Sequence, residues 1–270
     1  MKLKEARALY DFAINNEALT ANICGYKKGE ISIELPEKIG MYSVTSVGCS
    51  VSGYDFTWLE KILLPRSLVT IGKNAFSCCR ELKSVFIPNG VECIEDGAFQ
   101  QCGKLEHIYL PGSVKSIGKK AFYACKSLKS INIPENVKTI GREAFHSCNN
   151  LKNVIIPNGV TDIGESAFAF CENLTSICLP SSISSIEKET FLCCEKLESV
   201  SIPRTIVRIG KSAFALCRNL NKISILESVI SIDDGAFSGC NSLKSLSISE
   251  RIEKIGATAL PNKVEIFYIS

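Results

Sequence analysis

A phenylalanine recurs every 23 residues, at Phe76, Phe99, Phe122, Phe145, Phe168, Phe191, Phe214 and Phe237. A cysteine follows each one three positions later, at Cys79, Cys102, Cys125, Cys148, Cys171, Cys194, Cys217 and Cys240. No insertion or deletion interrupts these units. A fixed period of this size makes each unit a small supersecondary element that buries its apolar face only against its neighbours, which is a solenoid. By length alone, 270 residues allow one or two domains. The unbroken period makes the chain one elongated domain.

One unit, residues 82–104, shows the local logic. Val85 and Ile87 alternate with polar or variable positions, which is strand periodicity. Pro88 ends the strand because it has no N–H to give to a ladder, and Asn89-Gly90 turns the chain. Val91 and Ile94 stand three apart, followed by Ala98, Phe99 and Cys102, a spacing that predicts one or two helical or 3₁₀ turns. The pattern recurs from Leu59, Leu82, Leu105, Leu128, Leu151, Leu174, Leu197, Leu220 and Leu243. Every unit enters the same way, so the strands run parallel. The Phe and Cys columns are assigned to the core.

Six further cysteines (Cys24, Cys49, Cys78, Cys93, Cys178, Cys193) bring the total to 14. Stacked strands lie about 4.8 Å apart, so ladder thiols are close. Their side chains all point the same way, whereas a disulfide needs converging Cβ vectors. The ladder therefore reads as a buried column of small apolar thiols. No C-x-x-C pair occurs, and no metal site or cofactor is expected. Many free thiols fit a reducing or anaerobic setting. Residues 1–16 contain no apolar core of a secretory signal, and no apolar run reaches the roughly 18 residues of a membrane span. Read literally, the chain is expected in the cytoplasm. The net charge is only +3, with Lys and Arg mixed among Asp and Glu, which argues against a nucleic-acid partner.

The unit Leu-x-x-Ile-x-Ile-Pro-x-x-Val-x-x-Ile-Gly-x-x-Ala-Phe-x-x-Cys resembles the BspA-type, or treponemal-type, leucine-rich repeat over about residues 31–260. The resemblance implies an α/β repeat solenoid: a curved, right-handed leucine-rich repeat superhelix with a parallel β-sheet on one face and short helical or irregular returns on the other. It also implies protein binding, often as a bacterial or protozoan cell-surface or secreted adhesin.

The ends depart from the period. Residues 1–58 are expected to form an N-terminal cap with a degenerate repeat, residues 59–260 nine repeats, and residues 261–270 a capping strand. Within the cap, residues 1–8 read as a helix, and Asp11–Ile14 with Leu19–Ile23 as a hairpin. Phe56 and Trp58 are expected to close the irregular unit, and Phe267 and Tyr268 to cover the last rung.

Function is sought where the scaffold demands nothing. In each strand the residue between the two core positions points outward. That column runs Leu63, Phe86, Tyr109, Asn132, Ile155, Cys178, Ser201, Ser224, Ser247. Its first half is apolar and its second half is serine. Two readings stand: a hydrophobic strip that binds a partner, or side chains that pack across rungs or under the cap. The next outward column carries Lys61, Ser84, His107 and Ser130. A Ser–His pair invites a hydrolase reading, but no orienting acid lies in these strands and a smooth sheet makes no pocket. His146 is expected on the surface. The favoured function is a non-catalytic protein-binding module using Leu63, Phe86, Tyr109, Ile155 and His107, with Lys61 and Lys83 at the rim. The alternatives are an adhesin and a structural protein that self-associates as a homodimer.

Overall fold

A computed structural model describes residues 1–48, 58–261 and 263–269. The chain folds as a β-solenoid with three sets of rung-to-rung hydrogen bonds; strand pairing in the first set is interrupted between residues 61–63 and 84–86 and between residues 107–109 and 130–132. The first ladder is made of three-residue parallel strands, among them Lys61–Leu63, Ser84–Phe86, His107–Tyr109, Ser130–Asn132 and Asn153–Ile155. Each shows the same pattern of exposed, buried, exposed, as strand alternation requires. Register is strict: Ile131 pairs with Val154, and Val154 with Ile177.

The second ladder lies in the return. Two-residue strands such as Cys93–Ile94, Ser116–Ile117, Thr139–Ile140 and Asp162–Ile163 pair in parallel from unit to unit. The third ladder joins the Phe turns: Phe99 N donates to Ala121 O, and Phe122 N to Ala144 O, both at 2.8 Å. Within each turn, bonds reach back three residues, as from Ala98 N to Glu95 O and Cys102 N to Phe99 O. Of the expected helical or irregular returns, the irregular form is the one observed, built of single turns. The only α-helix among the described residues is Leu3–Leu9, and the fold is mostly strand. Spacings of three and four come instead from consecutive turns, which repeatedly place a residue in the left-handed region, as at Lys120 (φ 57°) and Ala124 (φ 56°). That excursion breaks any helix after one turn.

The core follows the sequence columns. All eight ladder phenylalanines and cysteines are buried, as are the nine unit-opening leucines from Leu59 to Leu243. Successive phenylalanine rings stack at 5.3–5.8 Å. Cys102, Cys125, Cys148, Cys171, Cys194, Cys217 and Cys240 are free thiols.

At the N-terminal end, Leu3–Leu9 leads into the antiparallel pair Tyr10–Asn15 and Thr20–Tyr26. Thr20–Tyr26 continues in parallel into Tyr42–Val47. Ser32–Glu34 pairs with Lys61–Leu63 and starts the long-strand ladder. Trp58 packs against the core; Phe56 and Cys49 lie outside the described residues. At the other end, Glu265–Ile269 pairs with Ser245–Ser249. Phe267 lies opposite Ser247 and is 52% exposed, so it continues the outward column instead of covering the rung. Tyr268 lies opposite the core residue Ile248 but remains 60% exposed.

Candidate protein-binding face

The site residues occupy the outward positions of the first-ladder strands. Buried neighbours on either side fix Leu63, Phe86, Tyr109 and Ile155. In the second strand, Val85 and Ile87 are core, so Phe86 between them must face out. The strip is uncovered: Leu63 is 53% exposed, Phe86 63%, Tyr109 55% and Ile155 72%. The described residues of the N-terminal cap do not cover it. Phe86 and Tyr109 do pack on one another, with ring centroids 5.8 Å apart and planes within 4°. The rings stack across rungs, and their outer faces stay open. Glu34 sits opposite Leu63 and closes one end of the strip; exposed Asn132 separates Tyr109 from Ile155.

His107 lies beside the strip, its side chain 66% exposed and its Nε2 4.0 Å from Glu106 Oε2. Glu106 is engaged elsewhere: Lys129 Nζ donates to its Oε2. That bond, together with the ammonium's charge, holds its carboxyl below the usual carboxylate range. Ser84 is the register neighbour of His107, but no hydrogen bond joins His107 to Ser84 or Ser130 among the described residues. Lys61 and Lys83 are exposed and enter no ion pair among the described residues. The arrangement offers apolar area, two open aromatic faces and exposed positive charge at one rim. No group of three or more His, Cys, Asp or Glu side chains suited to a metal ion occurs among the described residues. No described helix is long and apolar enough to cross a membrane.

A second aromatic cluster escaped the sequence reading. His146 is half-buried, stacked at 4.9 Å on Tyr123 and packed at 5.0 Å against Phe170. Its Nδ1 is 2.9 Å from Ser147 Oγ, and Lys120 lies over the Tyr123 ring at 5.3 Å. Burial lowers the imidazole's pKa. The plain surface position expected for His146 is thus corrected. Tyr123 and His146 are one period apart, a signal that was available; Phe170 is 24 residues on, in the neighbouring column, and so was hidden.

Repeats of about two dozen residues, parallel strands on one face and a leucine at each unit's opening define a leucine-rich repeat solenoid. The sequence profile of the BspA type leucine-rich repeat region matches residues 50–175 and 138–267, in six copies. The chain belongs to the BspA-type leucine-rich repeat family. No curated protein sequence matches it significantly. Among solved structures it is similar to a leucine-rich repeat protein of T. pallidum, at 27% identity and a TM-score of 0.62, covering 80% of this chain and 89% of that one. It is also similar to a leucine-rich cell surface protein of Faecalibacterium prausnitzii, at 26% identity and a TM-score of 0.50, covering 97% of this chain and 93% of that one.

Proposed function

We propose that the protein is a non-catalytic protein–protein interaction module whose binding face is the strip Leu63, Phe86, Tyr109 and Ile155. His107 flanks the strip, and Lys61 and Lys83 form its rim. The observation that carries this reading is the run of three large side chains on adjacent rungs, each more than half exposed, at positions the solenoid leaves free. Contiguous exposed apolar area marks interaction sites, and aromatics supply much of the energy at such sites. Phe86 and Tyr109 sit on paired strands between buried neighbours, so little order has to be imposed on them on binding. In the family's curved, right-handed coil, the strip lies along the strand face. Phe86→Ala with Tyr109→Ala should abolish partner capture from the native source while the melting temperature stays within about 2 °C of wild type. Unfolding of the double variant would make the pair structural and end this reading.

A second reading, a cell-surface adhesin, is favoured by the similarity to the F. prausnitzii cell surface protein. Protease treatment of intact native cells tests it: loss of the protein without lysis supports surface display, and full protection opposes it. Self-association through the same strip would appear in light scattering as a dimer that Phe86→Lys converts to monomer.

A further inference from the structure

The return ladder closes at every step but one. The residue two before each short-strand isoleucine donates across the stack: Lys115 to Glu92, Lys138 to Lys115, Thr161 to Lys138, Val207 to Ser184 and Ile230 to Val207, at 2.8–2.9 Å. The residue after the isoleucine does the same: Gly141 to Ile117, Gly164 to Ile140, Gly210 to Ile186 and Asp233 to Ile209, at 2.8–2.9 Å. The equivalent bonds from Ser184 to Thr161 and from Glu187 to Ile163 are missing, and Asp162–Ile163 does not pair with Ser185–Ile186. The other two ladders cross the same junction intact. Asn153 pairs with Ser176, and Phe168 N donates to Thr190 O at 2.9 Å. One face of the stack is therefore wedged open, leaving a hollow of about 450 Å³ beside Thr161, Asp162, Ser184, Ser185 and Glu187.

The sequence of that turn supplies the cause. At Gly141 and Gly164 the previous unit's backbone stands where a Cβ would be, 2.6 Å from Lys119 N and 2.5 Å from Arg142 N respectively. Units without this glycine carry one two residues on, at Gly97 after Glu95 and Gly235 after Asp233, where the backbone is left-handed. Only Glu187-Lys188-Glu189 has neither. Arg208 then holds the displaced turn, with Nη2 3.1 Å from Glu187 Oε2 and Nη1 2.9 Å from Asp233 Oδ2.

The geometry points to a built-in hinge at this junction: a rung left open on one face by a turn without glycine, about which the two halves of the solenoid bend. It falls between the rungs of Ile155 and Cys178, one rung before the outward column turns to serine at Ser201, so bending alters the angle between the apolar strip and the serine surface. The hinge stands whether or not the strip binds a partner.

Hydrogen exchange on the full chain tests it, with spin labels introduced as unnatural amino acids at Lys138 and Glu253. In wild type the amides of Ser184 and Glu187 should exchange at least tenfold faster than those of Val207 and Gly210, and the label distances should be broad. Glu187→Gly, or Glu189→Gly should the first fold poorly, should protect the Ser184 amide and narrow the distribution. Glu187→Ala keeps the Cβ and loses the carboxylate, so it should leave the rung open. Equal protection in wild type, or distributions of equal width in wild type and the glycine variants, would overturn the hinge. Closure by Glu187→Ala would overturn its steric origin.

Discussion

The thiol of Cys148 donates to the carbonyl oxygen of Phe122, 26 residues earlier, at 3.2 Å. The same bond joins Cys102 to Phe76, Cys125 to Phe99, Cys171 to Phe145, Cys194 to Phe168, Cys217 to Phe191 and Cys240 to Phe214, at 3.1–3.3 Å. The Phe122 carbonyl already receives Cys125 N within its own turn, so the sulfur takes up the oxygen's second lone pair. Cysteine is thus more than a filler of the right size: it stitches each unit to the one before. Cys148→Ala should destabilise the solenoid by about 1–2 kcal/mol, the sum of a small lost volume and a weak buried hydrogen bond. Urea midpoints at unchanged slope would measure it.

Thiol reactivity should divide sharply by position. Cys178 is exposed on the strand face, while burial pushes the Cys171 and Cys240 thiols up to about 12. Since the thiolate is the nucleophile, iodoacetamide at pH 8 should modify Cys178 within minutes and spare Cys171 and Cys240 until denaturant is added. Native labelling of Cys171 at a rate comparable to Cys178 would contradict the closed core.

Phe145 stacks on Phe122 and Phe168, both at 5.3 Å. Phe237 stacks on Phe214 alone, because Leu260 replaces the next ring. Phe145→Ala should cost about 3–5 kcal/mol. Phe237→Ala should fall at or below the low end of that range, since the terminal rung frays more readily. Denaturation monitored by circular dichroism would rank the two.

The core was legible because every requirement for burial repeats at one spacing. Val85, Phe99 and Cys102 could be placed from the period alone, and so could the outward facing of Phe86. The returns were only partly legible, because the spacing of Val91, Ile94 and Ala98 does not separate an irregular turn from a helix. What prevents one is the left-handed residue in each turn, and that residue is often not glycine: Lys120, Glu143 and Glu189 all have φ of 56–57°. Phe267 was misassigned for a simpler reason. Alternation along Glu265–Ile269 decides which side chains face the core, and the register with Ser245–Ser249 could not be read from a terminal segment that breaks the period.

His146 gives the fold a pH dependence near neutrality. Burial between Tyr123 and Phe170 lowers its pKa in the folded state; Glu143 and Glu189 oppose that shift and Lys120 adds to it. Its folded pKa thus lies below its unfolded value of about 6.5. The stabilisation from the neutral ring is present above that value and is lost as pH falls through the folded pKa. The melting temperature should drop between pH 7 and 5, and His146→Phe should flatten the drop.

Ala124 and Ala121 occupy the same turn and make opposite demands. Ala124 has φ of 56°, a region that disfavours an L-residue with a Cβ by about 1–2 kcal/mol. Glycine holds the equivalent position in the last such turn, at Gly239. The Ala124 N–H donates to His146 O at 2.8 Å, a bond glycine would keep. Ala121 is fully buried and is not among the left-handed residues, so glycine there removes a packed methyl and adds chain entropy to the unfolded state. Ala124→Gly should therefore raise stability by about 0.5–1 kcal/mol, and Ala121→Gly should lower it by about 1–2 kcal/mol. Urea titrations of the two variants side by side decide the matter: effects of the same sign would mean that backbone conformation does not govern these turns.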